Sequence, residues 1–439
     1  MNSWKYKASC TVVPGLLLPF LFGCEAARPP DQRNETVVSD SLQFRGEVVD
    51  VLPSGQEIRE TAIYRGREFR WTGKLDNRVA TPELEREVES EPLRLDEMNE
   101  QELAEDLRGL ALFGGHQFLA VEPAYGAARA AKEHYELLER GASAEEIERR
   151  FPGTAAGQGT AGRTADFEAA EEVLTEEGEG AAPRIVHGDD DRFVLDNLVY
   201  PHRAQIVFDN AGSTSTINGS QGSGSLIGRS TAMSVAHVFW DEVNDTWEAD
   251  HRWAPGFDSQ DGNSSPWGEW YRCYWVTIPV AYTTNENQNE FDFAVIDFDV
   301  GCNSTNDGVN SDRPGATVGW LGHYTASADD IETRTAYVRG YPGIGTCGNP
   351  GQQCNVRVWG DISLSSENEA ESTEIRHDAD TTGGQSGSAI YHYADPGCGG
   401  CDFGSYLVGM HRVGGSSTNG ARRYTSSVYA FVQQYSGEF

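Results

Sequence analysis

Three short segments in the second half of this 439-residue chain carry side chains that suit one chemistry. The first is Ser234-Val235-Ala236-His237, a histidine ending an apolar run. The second is Glu290-Phe291-Asp292-Phe293-Ala294-Val295-Ile296, an acid entering a strongly apolar run. The third runs from Asp380 through Thr381-Thr382-Gly383-Gly384-Gln385-Ser386-Gly387 to Ala389. A serine hydroxyl is a weak nucleophile until a base takes its proton. A histidine can be that base, and a buried carboxylate then holds its tautomer and stabilises its cation. The tetrahedral intermediate bears an oxyanion that needs aimed donors. His237, Asp292 and Ser386 fit these three roles. Gly384 lets the backbone present its N–H beside that of Ser386, where a side chain would crowd the substrate carbonyl.

Taken singly, each segment has a plain reading: a flexible turn, a packed histidine, a strand-start aspartate. Taken together, in the order His, Asp, Ser, they match the chymotrypsin-like arrangement. Asp297 and Asp299 compete for the acid role, but they continue the strand, whereas Asp292 sits at the loop-to-strand entry.

The elements that must position these residues follow from the pattern around them. From Ile185 onward, short apolar runs alternate with Gly, Asn, Asp and Ser clusters. Examples are Ala204 to Phe208, Ser225 to Gly228, Tyr274 to Val280, Phe293 to Phe298, Ala336 to Tyr341, Val356 to Trp359 and Tyr406 to Met410. Such runs predict an all-β antiparallel sandwich or barrel pair. Residues 25–184 read differently. Thr81-Pro82 is a helix start followed by Glu and Leu as far as Leu112, and a second helix is expected over Tyr125 to Arg140. Ser143 and Glu146 read as a capping box before Ile147. Residues 152–184, rich in Gly, Ala, Thr and Glu, read as a linker.

The N-terminus reads as an export signal over residues 1–24: Lys5 and Lys7 precede the short apolar stretch Val12 to Phe22. It ends in Leu21-Phe22-Gly23-Cys24, which matches either a lipoprotein box with a lipid on Cys24 or ordinary cleavage near Ala26 or Ala27. Either way the chain is expected outside the cell, with the lipid as its sole membrane link. The formal net charge of -34 disfavours nucleic acid as a partner. Six cysteines follow the signal, Cys273, Cys302, Cys347, Cys354, Cys398 and Cys401, an even set that suggests disulfides. Proximity favours neighbour pairing. Zinc at Cys398 and Cys401 lacks a second pair, and Asp189 to Asp191 match no calcium loop. No cofactor or metal is expected.

Residues 185–439 resemble the bacterial glutamyl endopeptidase family of chymotrypsin-like serine proteases. The stretches that carry this are Gly188 to Arg192, Tyr200 to Ala204, Val318 to Gly322, Gly340 to Gly343, Asp380 to Ser388 and Gly409-Met410-His411. The resemblance implies two antiparallel β-barrels with the active site between them, His237 and Asp292 in the first and Ser386 in the second. It implies cleavage after Glu, and less well after Asp, in protein or peptide substrates. Thr381, His411 and the freed amine of Ile185 would bind the acidic side chain, and Gly384 and Ser386 would form the oxyanion hole. No lysine occurs after residue 184, so the pocket's cation must come from Arg, His or that amine. One departure is Val238 after the histidine, where relatives carry a cysteine; Ser223-Gly224-Ser225 stands where its partner belongs.

Arg184-Ile185-Val186 reads as an activation bond, which makes residues 25–184 a partly helical pro-region with linker. The residue before Ser386 is Gln385, so the trypsin-like ion pair of a freed Ile amine cannot form there. Residues 1–184 hold 28 Glu and 7 Asp, and residues 185–439 hold 11 Glu and 22 Asp. A Glu-directed enzyme would profit from that bias, although Glu also favours helices and Asp turns. Two other readings stay open: a silent binding module on a protease-like fold, and a serine protease of other specificity.

Overall fold

The structure, a computed structural model, describes residues 35–37, 41–75, 98–153 and most of 192–436. Cys24, Thr81-Pro82, Arg184, Ile185 and Asp189 to Asp191 lie outside the described residues, as do all cysteines except Cys273, which is disulfide-bonded.

The N-terminal segment contains β1 (Glu35–Val37), β2 (Leu42–Val51), β3 (Glu57–Tyr64), β4 (Arg67–Lys74), α1 (Glu100–Asp106), β5 (Gly109–Phe113), β6 (His116–Ala120), α2 (Tyr125–Glu139) and α3 (Ala144–Arg150). The helix expected to reach Leu112 ends instead at Asp106. Leu110 to Phe113 is an apolar run buried on both faces, and Gly114 and Gly115 follow at φ +57° and +82°. Two successive left-handed residues make the tight turn of a β-hairpin, so β5 and β6 pair. The helix expected over Tyr125 to Arg140 is α2. Ser143 Oγ accepts from the Glu146 amide at 3.2 Å, while the Glu146 carboxylate pairs with Arg140.

The rest of the chain begins with β7 (Phe193–Val194), β8 (Gln205–Asp209), β9 (Gly222–Leu226), β10 (Thr231–Ser234), β11 (Trp240–Asp241), β12 (Thr246–Trp247), β13 (Arg252–Pro255) and β14 (Trp270–Tyr271). It continues with β15 (Trp275–Pro279), α4 (Val280–Thr284), β16 (Ala294–Asp297), α5 (Pro314–Val318), β17 (Gly322–His323) and α6 (Ala328–Thr333). The last elements are β18 (Ala336–Gly340), β19 (Trp359–Ser363), β20 (Glu369–Ala370), β21 (Glu374–His377), β22 (Ala389–Ala394), β23 (Gly404–Val413), β24 (Asn419–Arg423) and α7 (Ser426–Tyr435).

Two large sheets result, as the strand-rich pattern predicts. One has the order β1-β2-β3-β4-β6-β5-β15-β16-β10-β9-β8-β13-β14, and the other β20-β21-β24-β23-β22-β18-β19-β7. Among the described residues pairing is antiparallel except for β17 against β23. The first sheet carries the ends that lead into His237 and Asp292, and the second flanks Ser386. The N-terminal segment extends the first sheet through β5 on β15 rather than forming a sheet of its own. Accordingly one apolar cluster runs from Leu42, Phe44 and Phe118 through Trp275 and Ile296 to Phe431. Among the described residues no helix is long and apolar enough to cross a membrane.

Candidate active site

β10 and β16 lie side by side, with Ser234 opposite Ala294. Their adjoining ends therefore deliver His237 and Asp292 to one place. His237 lies on a 3₁₀ turn, Ala236–Val238, directly after β10. Asp292 follows a second 3₁₀ turn, Gln288–Phe291, just before β16. Asp292 Oδ2 lies 2.8 Å from His237 Nδ1, and Oδ1 accepts from the His237 amide at 3.1 Å. The ring is thus gripped by its own backbone as well as its side chain. Burial pushes the Asp292 carboxyl up, but His237, both hydrogen bonds and the nearby Arg412 together hold it below its ordinary value. It therefore stays ionised beside the imidazole at neutral pH.

The competing acids face elsewhere. Asp297 Oδ2 pairs with Arg65 Nη2 at 2.9 Å, and Asp299 Oδ2 accepts from Ser41 Oγ at 2.8 Å. Both are engaged by the N-terminal segment.

Ser386 sits on the tight loop leading into β22. Gly384 and Gly387 hold φ of +88° and +83°, a left-handed backbone that favours glycine. A Cβ on Gly384 would lie 2.4 Å from the Gly343 nitrogen, and one on Gly387 would lie 2.0 Å from the Ser223 carbonyl oxygen. This loop is stitched to the first sheet. The Ser223 amide donates to the Ser386 carbonyl at 2.6 Å, and Ser223 Oγ donates to the Gly384 carbonyl at 3.1 Å. Ser386 Oγ lies 3.5 Å from the Arg412 carbonyl. Arg412 in turn donates to Asn289 Oδ1 at 2.8 Å, on the turn that carries Asp292. Ser386 and the His237–Asp292 pair thus share the seam between the two sheets. Where a cysteine bridge would have stood, Val238 packs directly over Gly222: a Cβ there would meet Val238 Cγ2 at 2.4 Å.

β23 and the Asp380–Thr382 segment bring further polar groups to this region. His411, on β23, is fully buried, and its Nδ1 lies 3.4 Å from His377 Nε2. Burial, then the neighbouring His377, His237 and Arg412, keep its pKa well below the usual value, so His411 is neutral. Thr381 Oγ1 and His411 Nε2 are buried and take no hydrogen-bond partner among the described residues. A buried polar atom without a partner costs about 1–3 kcal/mol. Gln385 Oε1 accepts from the Thr382 amide at 2.9 Å and from buried Arg192 at 3.2 Å. Arg192 also donates to Thr382 Oγ1 at 2.8 Å.

No protein-family model matches the chain. A glutamyl endopeptidase of Bacillus licheniformis is 27% identical over 250 residues, covering 56% of this chain and 67% of the relative. The chain is a homologue of glutamyl endopeptidase. A protein named extracellular metalloprotease, from Bacillus subtilis, is 24% identical over 265 residues, covering 58% of this chain and 71% of that one. Among solved structures, a Glu endopeptidase in complex with MPD aligns with a TM-score of 0.42 at 21% identity, over 57% of this chain and 99% of that one. The homology supports protease activity. Among the described residues of this glutamyl endopeptidase homologue, no group of three or more His, Cys, Asp and Glu could hold a metal ion.

Three residues of the site escape sequence reasoning. His377 lies 34 positions before its partner His411, with nothing local to mark it. Ser223 reads as an ordinary strand serine, although its place where a bridging cysteine was expected was a signal. Arg192 falls in a stretch noted only for resemblance.

Proposed function

We infer that this chain is a secreted serine endopeptidase that cleaves peptide bonds after glutamate, and less well after aspartate. The observation that supports the reading is the His237–Asp292 pair, 2.8 Å apart at the adjoining ends of β10 and β16, together with the glycine-bounded Ser386 loop bonded to β9 through Ser223. Ser386 Oγ attacks the substrate carbonyl carbon, and His237 Nε2 takes its proton. The amides of Gly384 and Ser386 receive the oxyanion. His237 then passes the proton to the leaving amine as the C–N bond breaks. Water, deprotonated by His237, attacks the acyl-enzyme and frees Ser386.

Acid specificity rests on Thr381 and His411. If the shared proton resides on His377 Nε2, then His411 Nε2 keeps its own hydrogen and acts as a donor, a tautomer assigned from that contact. Thr381 Oγ1 supplies a second donor. The cation comes from the freed amine of Ile185 once Arg184-Ile185 is cut. Arg192 supports this role: it ties the chain to the serine loop seven residues after Ile185, and seven residues span up to ~25 Å. Export, with or without a lipid on Cys24, fits a relative whose name places it outside the cell.

The test pairs an organophosphonate serine probe with a cleavage profile on a peptide library. Labelling at Ser386, lost in Ser386→Ala, with cuts after Glu, is expected. Absence of label on the processed protein would turn the reading toward a binding module. Label with cuts after other residues would leave the protease and remove the acidic specificity.

A further inference from the structure

The N-terminal segment meets the rest of the chain in a way that a disposable segment would not need. β5 pairs with β15 over five consecutive residues, from Gly109 opposite Pro279 to Phe113 opposite Trp275. On the other side of β15 lies β16, the strand that follows Asp292. Without β5, β15 would be an open sheet edge of the kind that recruits other chains.

The side chains tell the same story. Trp275 is 1% exposed. Four aromatic residues of the N-terminal segment enclose it: Tyr64 stacks at 4.6 Å, Phe118 at 5.6 Å, Phe69 meets it edge-on at 5.1 Å, and Phe113 lies at 6.2 Å. Asp297, with 1% of its side chain exposed, finds its cation in Arg65. Burial raises its pKa and Arg65 opposes that. Losing Arg65 would strand a buried carboxylate.

A third contact holds the end of the chain. The Gly109 amide donates to Tyr435 Oη at 2.8 Å, and Arg67 donates to the Gln434 carbonyl at 2.8 Å. A Cβ at Gly109 would lie 2.7 Å from the Tyr435 ring, so only glycine allows this approach. α2 lies along α7, with His134 Nδ1 2.8 Å from Ser426 Oγ.

We propose that residues 41–151 are a lasting subunit of this protein: once the chain is cut between 154 and 191, they remain bound as a noncovalent second chain that closes the edge of the catalytic half. The cut yields two polypeptides that share the first sheet. This holds wherever the natural cut falls within that stretch, and whether or not the Glu-specific reading is right.

The experiment introduces a recognition sequence for an unrelated, highly specific protease near residue 170 of the full chain. After complete cutting, gel filtration and native mass spectrometry at nanomolar concentration report whether the pieces part. Hydrogen exchange reports on residues 275–279. The expected result is co-migration of both pieces, with exchange at 275–279 unchanged from the uncut protein. Release of the N-terminal piece under native conditions overturns the proposal, whether the remainder stays folded or aggregates. In Phe118→Ala, which removes one wall around Trp275, dissociation of the cut pieces should be at least ~100-fold more favourable. If that substitution prevents folding, the milder Phe118→Leu should show the same direction with a smaller change. Affinity unaffected in a folded variant would also count against the proposal.

Discussion

At the residue scale, the contrast between satisfied and unsatisfied polar atoms separates structural groups from waiting ones. Asp292 has both carboxylate oxygens engaged by His237. Thr381 Oγ1 and His411 Nε2 find no partner among the described residues. Removing a buried hydroxyl that has no partner relieves its desolvation cost, so it does not destabilise the free protein. Thr381→Val should therefore leave the urea midpoint unchanged or higher. Its catalytic efficiency on Glu peptides should nevertheless fall, and more than on neutral peptides. His411→Ala should cost about 2–5 kcal/mol on Glu peptides, as for one partner of a buried charge contact, while Ser386 still reacts with a small acylating probe. Equal losses on acidic and neutral peptides would remove both residues from the pocket.

At the element scale, the loop around Ser386 depends on two backbone positions that exclude a side chain and one that does not. Gly387 has φ +83°, with the Ser223 carbonyl oxygen 2.0 Å and Ser234 Oγ 2.2 Å from where a Cβ would sit. Gly383 has nothing within 4 Å of its Cβ position and a φ outside the left-handed range. Gly387→Ala should cost at least about 2 kcal/mol, from left-handed strain plus overpacking against Ser223. Gly383→Ala should stay within about 0.5 kcal/mol of the parent. Thermal melts of the two variants provide the check, and similar losses in both would refute this account of the loop. The same reasoning explains β5: Leu110 to Phe113 read as helix from their composition, but the Gly114–Gly115 turn and the waiting edge of β15 made them strand.

At the scale of the whole molecule, seven buried histidines among the described residues govern the response to acid. Burial lowers His202, His251 and His323 to about 3, and His134 and His392 to about 4. It also lowers His116 and carries His411 well below its usual value. The unfolded chain takes up these protons near pH 6.5, and the folded protein takes them up only at lower pH. Below about pH 6.5 the unfolded state therefore binds more protons, and stability falls as pH falls, by about 1.4 kcal/mol per histidine per pH unit. Asp292 acts in the same direction at lower pH, since its depressed value contributes stability that is lost as the carboxylate protonates. Glu248, raised by burial to about 7, opposes it, contributing stability that is lost as pH rises toward 7. Asp106, Glu269 and Asp297 are raised as well, so seven histidines stand against four carboxyls. The melting temperature should be lower at pH 5 than at pH 7, even though pH 5 lies nearer the sequence pI of about 4.5. A higher melting temperature at pH 5 would mean that relief of acidic self-repulsion dominates instead.

Residue type and order name His237, Asp292 and Ser386 as a set, because a hydroxyl nucleophile, its base and its orienting acid are scarce choices among twenty side chains. The strand-rich second half was legible too, because alternation and turn residues act over a few neighbours. What only the tertiary structure decided were contacts between distant positions. Strand position already favoured Asp292 over Asp297 and Asp299, but that those two are held by Arg65 and Ser41 was visible only in three dimensions. The partnership of His377 with His411 spans 34 residues and has no local mark. The N-terminal segment read as a partly helical attachment, yet it supplies strands to the first sheet. Strand edges are completed by backbone hydrogen bonds, which any sequence can make, so composition carries no record of which edge a strand will join.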